Sequence, residues 1–209
     1  MNKLISLCLA VGICGLAGRM TMAQTKPKVG LVLPGDSILG VKLGDDASRF
    51  EAAFPKRPET ENHSPSGTVG DQCPTEIYYW SDLAPDTSVA TAYLKDGAIS
   101  QLSVQGPMFS LPNGLKTGAT EERVKQAYPK GQMYVLLYSG GKVNGGRDLH
   151  YWVAREAGIA FELAWWQTKM QRLVEKIDVF TKGSEFRPEG CISQPQEWQK
   201  VKQTPHVGP

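Results

Sequence analysis

The feature that most constrains this chain is a duplication. Residues 40–55 read GVKLGDDASRFEAAFP and residues 114–129 read GLKTGATEERVKQAYP, at a constant offset of 74 with no gap. Six of the sixteen aligned pairs are identical: Gly40/Gly114, Lys42/Lys116, Gly44/Gly118, Arg49/Arg123, Ala53/Ala127 and Pro55/Pro129. Val41/Leu115, Phe50/Val124 and Phe54/Tyr128 keep their character. Average composition would give about one identity by chance. Two copies of one structural unit follow as the economical reading.

Each copy is predicted to be a short helix. Asp46 and Thr120 stand at the N-cap, where a side-chain oxygen accepts from free backbone N–H groups. Glu121 and Glu122 suit the positive end of the helix dipole. Phe50, Ala53 and Phe54, and likewise Val124, Ala127 and Tyr128, fall at i, i+3, i+4 and make one apolar stripe. Pro55 and Pro129 end the helices, because proline disfavours helical geometry in the residue before it.

Strand patterns follow each helix. The first copy predicts strands at 76–81, 88–94 and 98–105, with Asp96-Gly97 as a hairpin turn between the last two. The second copy predicts 132–138, 149–155, 158–166 and 172–180. Ile99, Leu102 and Val104 are spaced i, i+3, i+5, as are Val174, Ile177 and Val179. Alternation broken at the same place in both copies predicts a bulge in each. The organisation read from this is a first repeat at 36–110, a second at 111–181 and a polar, proline-containing tail at 182–209. The tail shows no strand pattern and is expected to cross back towards Cys73. Residues 56–72 and 139–147 read as polar loops.

Ahead of the repeats, residues 4–18 (LISLCLAVGICGLAG) are apolar, follow Lys3 and precede small-residue cut sites. A bilayer span needs roughly 20 such residues, so residues 1–23 read as a signal peptide cut after Ala23, with Ala17 as the alternative. Its removal takes Lys3 and Arg19, so the 23 basic residues become 21 against 21 acidic ones. A neutral mature chain with no basic run is a poor nucleic-acid partner, and no second apolar run predicts a membrane span. The expected location is periplasmic or secreted. Cys8 and Cys14 leave with the leader, and Leu7 and Ile13 stand where a lipoprotein needs a small residue. Cys73 and Cys191 remain, and an even pair in an exported protein reads as a disulfide, with two free thiols as the alternative.

The G-x-K-x-G segments at Gly40–Phe54 and Gly114–Tyr128, each followed by antiparallel strands, carry a resemblance. The chain resembles the tandem-repeat fold of the β-lactamase inhibitor protein and its single-repeat cousins, the small outer-membrane assembly lipoproteins of the BamE type. The resemblance implies an α+β fold: two tandem repeats of a short helix plus three to four antiparallel strands, joined into one sheet with the helices on one face. It also implies an open, concave opposite face that grips a partner protein.

Strand alternation then assigns side chains to that open face. Ile159, Phe161, Leu163 and Trp165 form the large apolar set of their strand and go to the helix side, which sends Glu162 and Trp166 outward. His150 and Trp152 are placed outward, with Tyr78 and Trp80 following by the repeat. Lys176 and Asp178 are further candidates. The binding set is thus Tyr78, Trp80, His150, Trp152 and Trp166. Clustered exposed aromatics point to protein recognition. The competing readings are cross-strand aromatic pairs that only stabilise the sheet, or reversed faces.

Chemistry is sparse. His63 and His206 have no ligand-spaced neighbours, and His150 beside Asp148 and Glu162 is the one polar cluster, better read as a surface histidine, so no metal or cofactor is expected. There is no G-x-S-x-G elbow, and the glycines around Lys142 lack the residues of a phosphate loop. Asp45-Asp46 and Glu121-Glu122 are explained by helix capping. Asn62-His63-Ser64 fits a glycosylation sequon. The reading is a non-enzymatic, exported protein-binding module with an unidentified protein partner. One alternative is a binder of a small ligand or cell-wall fragment that stacks on Trp80, Trp152 and Trp166. The other is a hydrolase using His150 with Glu162, which requires the two within hydrogen-bond reach.

Overall fold

The computed structural model describes residues 30–55, 60–61, 76–82, 87–136, 149–188 and 198–200. The leader, all four cysteines, His63, His206 and the sequon at Asn62 lie outside the described residues. No disulfide is present among the described residues, and the pairing expected of Cys73 with Cys191 falls outside them.

The two helices, α1 (Ala47–Ala53) and α2 (Glu121–Ala127), repeat each other bond for bond. Asp46 accepts from the Arg49 amide at 3.3 Å and Thr120 from the Arg123 amide at 3.3 Å. At the other end, the amides of Phe54 and Tyr128 close the last turn on Phe50 and Val124, each at 2.9 Å. Just before each helix Gly44 and Gly118 take φ values of +90° and +81°, a left-handed region that side chains disfavour.

A large sheet runs in the order β13 (Trp198–Lys200), β9 (Gln132–Leu136), β10 (Leu149–Ala154), β11 (Ile159–Trp166), β12 (Gln171–Phe180), β7 (Ala98–Gln105), β6 (Val89–Lys95), β5 (Glu76–Asp82), β4 (Thr60–Glu61). Strands of the two copies meet where β12 pairs antiparallel with β7. Asp96 and Gly97 turn β6 into β7 with φ of 53° and 78°, the doubly positive geometry that a two-residue hairpin requires.

Both bulges occur where alternation breaks. Leu94 pairs with Ile99 and Tyr93 with Gln101, leaving Ser100 extra; Leu163 pairs with Val174 and Glu162 with Lys176, leaving Glu175 extra. The bulges let Ile99, Leu102 and Val104, and Val174, Ile177 and Val179, enter one core. The bulged strands also anchor the helix lead-ins. Gly44 donates to the Ile99 carbonyl and Gly118 to the Val174 carbonyl, both at 2.8 Å.

The expectation of a single sheet is corrected. Four short strands form a second, separate sheet in the order β3 (Val41–Lys42), β2 (Ser37–Ile38), β1 (Gly30–Leu33), β8 (Phe109–Ser110), with β1 and β8 parallel. Three of the four are two residues long, too short to show alternation. Val32, Ile38, Val41 and Phe109 are buried in the same core as Phe50 and Val124, so this small sheet and the helices together cover one face of the large sheet. The expected loop and tail also contribute strands. Thr60–Glu61 pairs with β5, and Trp198–Lys200 pairs with β9, because the outer strands leave backbone groups to be paired.

Candidate functional site

The structure removes Trp80 and Trp152 from any open face. They are 4% and 3% exposed and belong to the core beneath the helices. Directly opposed residues on neighbouring strands share a face. Trp152 opposes Phe161, Trp80 opposes Ala90, and Tyr78 opposes Ala92, each partner pointing into that core. The faces of β5 and β10 are therefore the reverse of the sequence reading. Trp152 donates from Nε1 to the Tyr128 carbonyl at 3.1 Å, and Lys125 Nζ lies 5.4 Å from its ring centroid. Trp80 stacks at 5.4 Å on Phe54, while its Nε1 is buried without a hydrogen-bond partner. Tyr78 packs against the core edge and donates its hydroxyl to Glu76 at 3.2 Å.

His150 opposes Leu163 and is half-buried on the helix side, whereas Glu162 opposes Tyr151 on the far side. The sheet itself separates the two, so the His150–Glu162 pair needed for a hydrolase is not formed.

On the far face, pairing builds a buried ionic cluster that the sequence reading only brushed. One row runs Tyr134, Tyr151, Glu162, Lys176, Gln105 across five strands; the next runs Ala160, Asp178, Ser103, Thr91. Tyr151 donates to Glu162 Oε2 at 2.8 Å, and Lys176 Nζ meets the same oxygen at 2.8 Å. Asp178 Oδ1 accepts from Ser103 Oγ and from Gln101 Nε2, the latter at 3.2 Å; Oδ2 is buried with no hydrogen-bond partner. Burial pushes the Asp178 carboxyl up to about 6, with the nearby Glu162 adding to it and Lys176 opposing it. Burial acts to lower Lys176, but attraction from Asp178 and Glu162 outweighs it and raises the ammonium above its ordinary value. Beside the cluster, Tyr151 and Phe180 stack on Phe186 at 5.4 and 5.2 Å. Phe186 thus places part of the expected tail on this face.

The exposed aromatics lie elsewhere, at the tip of the β11–β12 hairpin. Trp166 is 51% exposed, Trp165 39% and Met170 66%. A 3-10 turn, Gln167–Lys169, joins the strands, and Met170 closes it at φ 49°, a left-handed conformation uncommon for a side chain of its size. Arg172 at the base of the tip meets Glu121 of α2 at 3.4 Å, and Lys125 meets the same carboxylate at 2.5 Å. These two cations, against the opposing effect of burial, hold the Glu121 carboxyl below its ordinary value. Of the residues expected to bind, Trp166 alone is exposed. Trp165 and Met170 were missed: Trp165 was assigned to the core with its strand, and Met170 lies past the end of any alternation.

A cavity of about 730 Å³ opens beside the second copy, lined by Tyr128, Tyr134, Arg155, Glu156, Glu185 and Phe186 among others. It is of the size that small ligands occupy. No tryptophan is among the described residues that line it. Among the described residues no cluster of His, Cys, Asp or Glu could hold a metal ion, and no helix is long and apolar enough to cross a membrane. No protein-family model, no curated protein and no solved structure matches the chain.

Proposed function

We propose that this is an exported, non-enzymatic protein-binding module whose contact surface is the tip of the β11–β12 hairpin. The carrying observation is the joint exposure at one hairpin end of Trp165 and Trp166, the last residues of β11 on its two opposite faces, and of Met170 just after the turn. Large exposed apolar side chains in one place favour an interface, and tryptophan is the residue type most enriched among binding hot spots. The tip is presented firmly: β12 pairs on both sides, and the Arg172–Glu121 contact ties the hairpin to α2. Rigid presentation reduces the ordering cost of association. The leader-like residues 4–18 support export and place the partner in an envelope or extracellular setting.

The test is retention of a partner from host envelope extract by the mature chain, compared with Trp166→Ala/Met170→Ala. Both residues are exposed, so the double variant is expected to fold, which circular dichroism checks. Loss of a hot spot weakens binding by about 30-fold or more, so the variant should release the partner under conditions where the wild type holds it. Equal retention by both would contradict the assignment of the surface.

A further inference from the structure

We propose that the buried ionic cluster at the junction of the two copies is a proton-operated clamp: Asp178 takes up a proton in mildly acidic surroundings, and this stabilises the folded chain. The inference does not depend on what the hairpin tip binds.

The argument begins with charge and geometry. Two carboxylates, Asp178 of β12 and Glu162 of β11, face one ammonium, Lys176 of β12, on two neighbouring strands. Lys176 is committed to Glu162 through the 2.8 Å contact, and Tyr151 of β10 adds its hydroxyl to the same carboxylate. From β7, Asp178 receives Ser103 and Gln101 on one oxygen only. Strand pairing also puts Tyr134 of β9, Tyr79 of β5 and Tyr93 of β6 on this face, and Tyr93 acts on Lys176. One negative charge is therefore left in a dry place with an oxygen that no donor among the described residues reaches. A proton removes that charge where solvent cannot screen it.

The position matters because β12–β7 is the pairing that joins strands of the two copies, and Asp178 opposes Ser103 across it. Burial lifts the carboxyl from an ordinary 3.8 to about 6, so the folded state binds this proton more tightly than the unfolded chain does. The contribution of this carboxyl to stability must then rise as pH falls from 8 through 6 and level off below about 4. In the other direction it is lost as pH rises through about 6. The shift corresponds to about 100-fold in the folding equilibrium between those limits.

The experiment is urea denaturation of the full mature chain from pH 8 to pH 4, wild type against Asp178→Asn. The asparagine keeps the shape and is neutral throughout. The expected result is a folding constant for the wild type that gains about 100-fold relative to the variant as pH falls, the variant being the more stable at pH 8. Histidines and carboxylates outside the cluster titrate equally in both proteins and cancel in the comparison. A constant ratio across the range would overturn the proposal. The carboxyl carbon resonance of Asp178 in the wild type provides a second reading that needs no variant. A midpoint near 6 supports the clamp, and a midpoint at or below 4 overturns it.

Discussion

Trp80 and Trp152 occupy matching places in the two copies, yet they meet different chemistry. Trp152 reaches the Tyr128 carbonyl, and Gly131 makes room for it, since a Cβ there would overlap the indole. Trp80 stacks on Phe54 but its N–H finds no acceptor. A buried hydrogen bond is worth about 1 kcal/mol net, and an unsatisfied buried group costs about 1–3 kcal/mol. Trp152→Phe should therefore destabilise the protein by about 2 kcal/mol more than Trp80→Phe, measured by urea denaturation of the two variants at one pH. Equal losses would show that volume alone decides at both positions. The same pair explains why the sequence misassigned the faces. Tyr79-Trp80 and Tyr151-Trp152 put an aromatic on each side of their strands, so hydrophobicity does not choose between sides. The choice is made by the register with Phe161 and Ala90, a long-range fact that no local pattern contains.

At the scale of elements, the helices and the long strands were legible because two independent periodicities, 3.6 and 2, are each written twice in the chain. The bulges were legible for the same reason: one irregular spacing is noise, but the same irregularity at Ser100 and Glu175 is a design. The short strands β1, β2, β3 and β8 were not legible, because two residues carry no period and their pairing comes from the neighbours. That omission is why one sheet was expected where there are two. The bulge at Glu175 sets which side chains of β12 enter the core. Deleting Glu175 removes the extra residue and leaves Val174, Ile177 and Val179 in strict alternation, with Lys176 and Asp178 still on the far side. The deletion variant is therefore expected to keep a cooperative unfolding transition in urea, at a cost of no more than about 3 kcal/mol. Glu175→Ala, which keeps the register, should change stability by no more than about 1 kcal/mol. A deletion variant without a cooperative transition would show that the extra residue is itself required for the pairing of β12.

For the whole molecule, duplication gives a two-layer body: a large sheet covered on one face by two helices and a small sheet. The other face is closed over its ionic cluster and over the aromatic contacts of Phe186. The proposed recognition surface is therefore the hairpin end that carries the exposed aromatics and not the face of the sheet. Little of this site was legible, because the exposure of Trp165, Trp166 and Met170 is a property of where the hairpin ends relative to its neighbours. The central claim is that this tip, and not the sheet face, meets the partner. The most direct measurement is site-specific photo-crosslinking in the host envelope, with a photoreactive side chain placed once at Trp166 and once at the exposed Lys116. A single discrete adduct from position 166 that is absent from position 116 is the predicted result. No adduct from 166, or the same adducts from both positions, would contradict it.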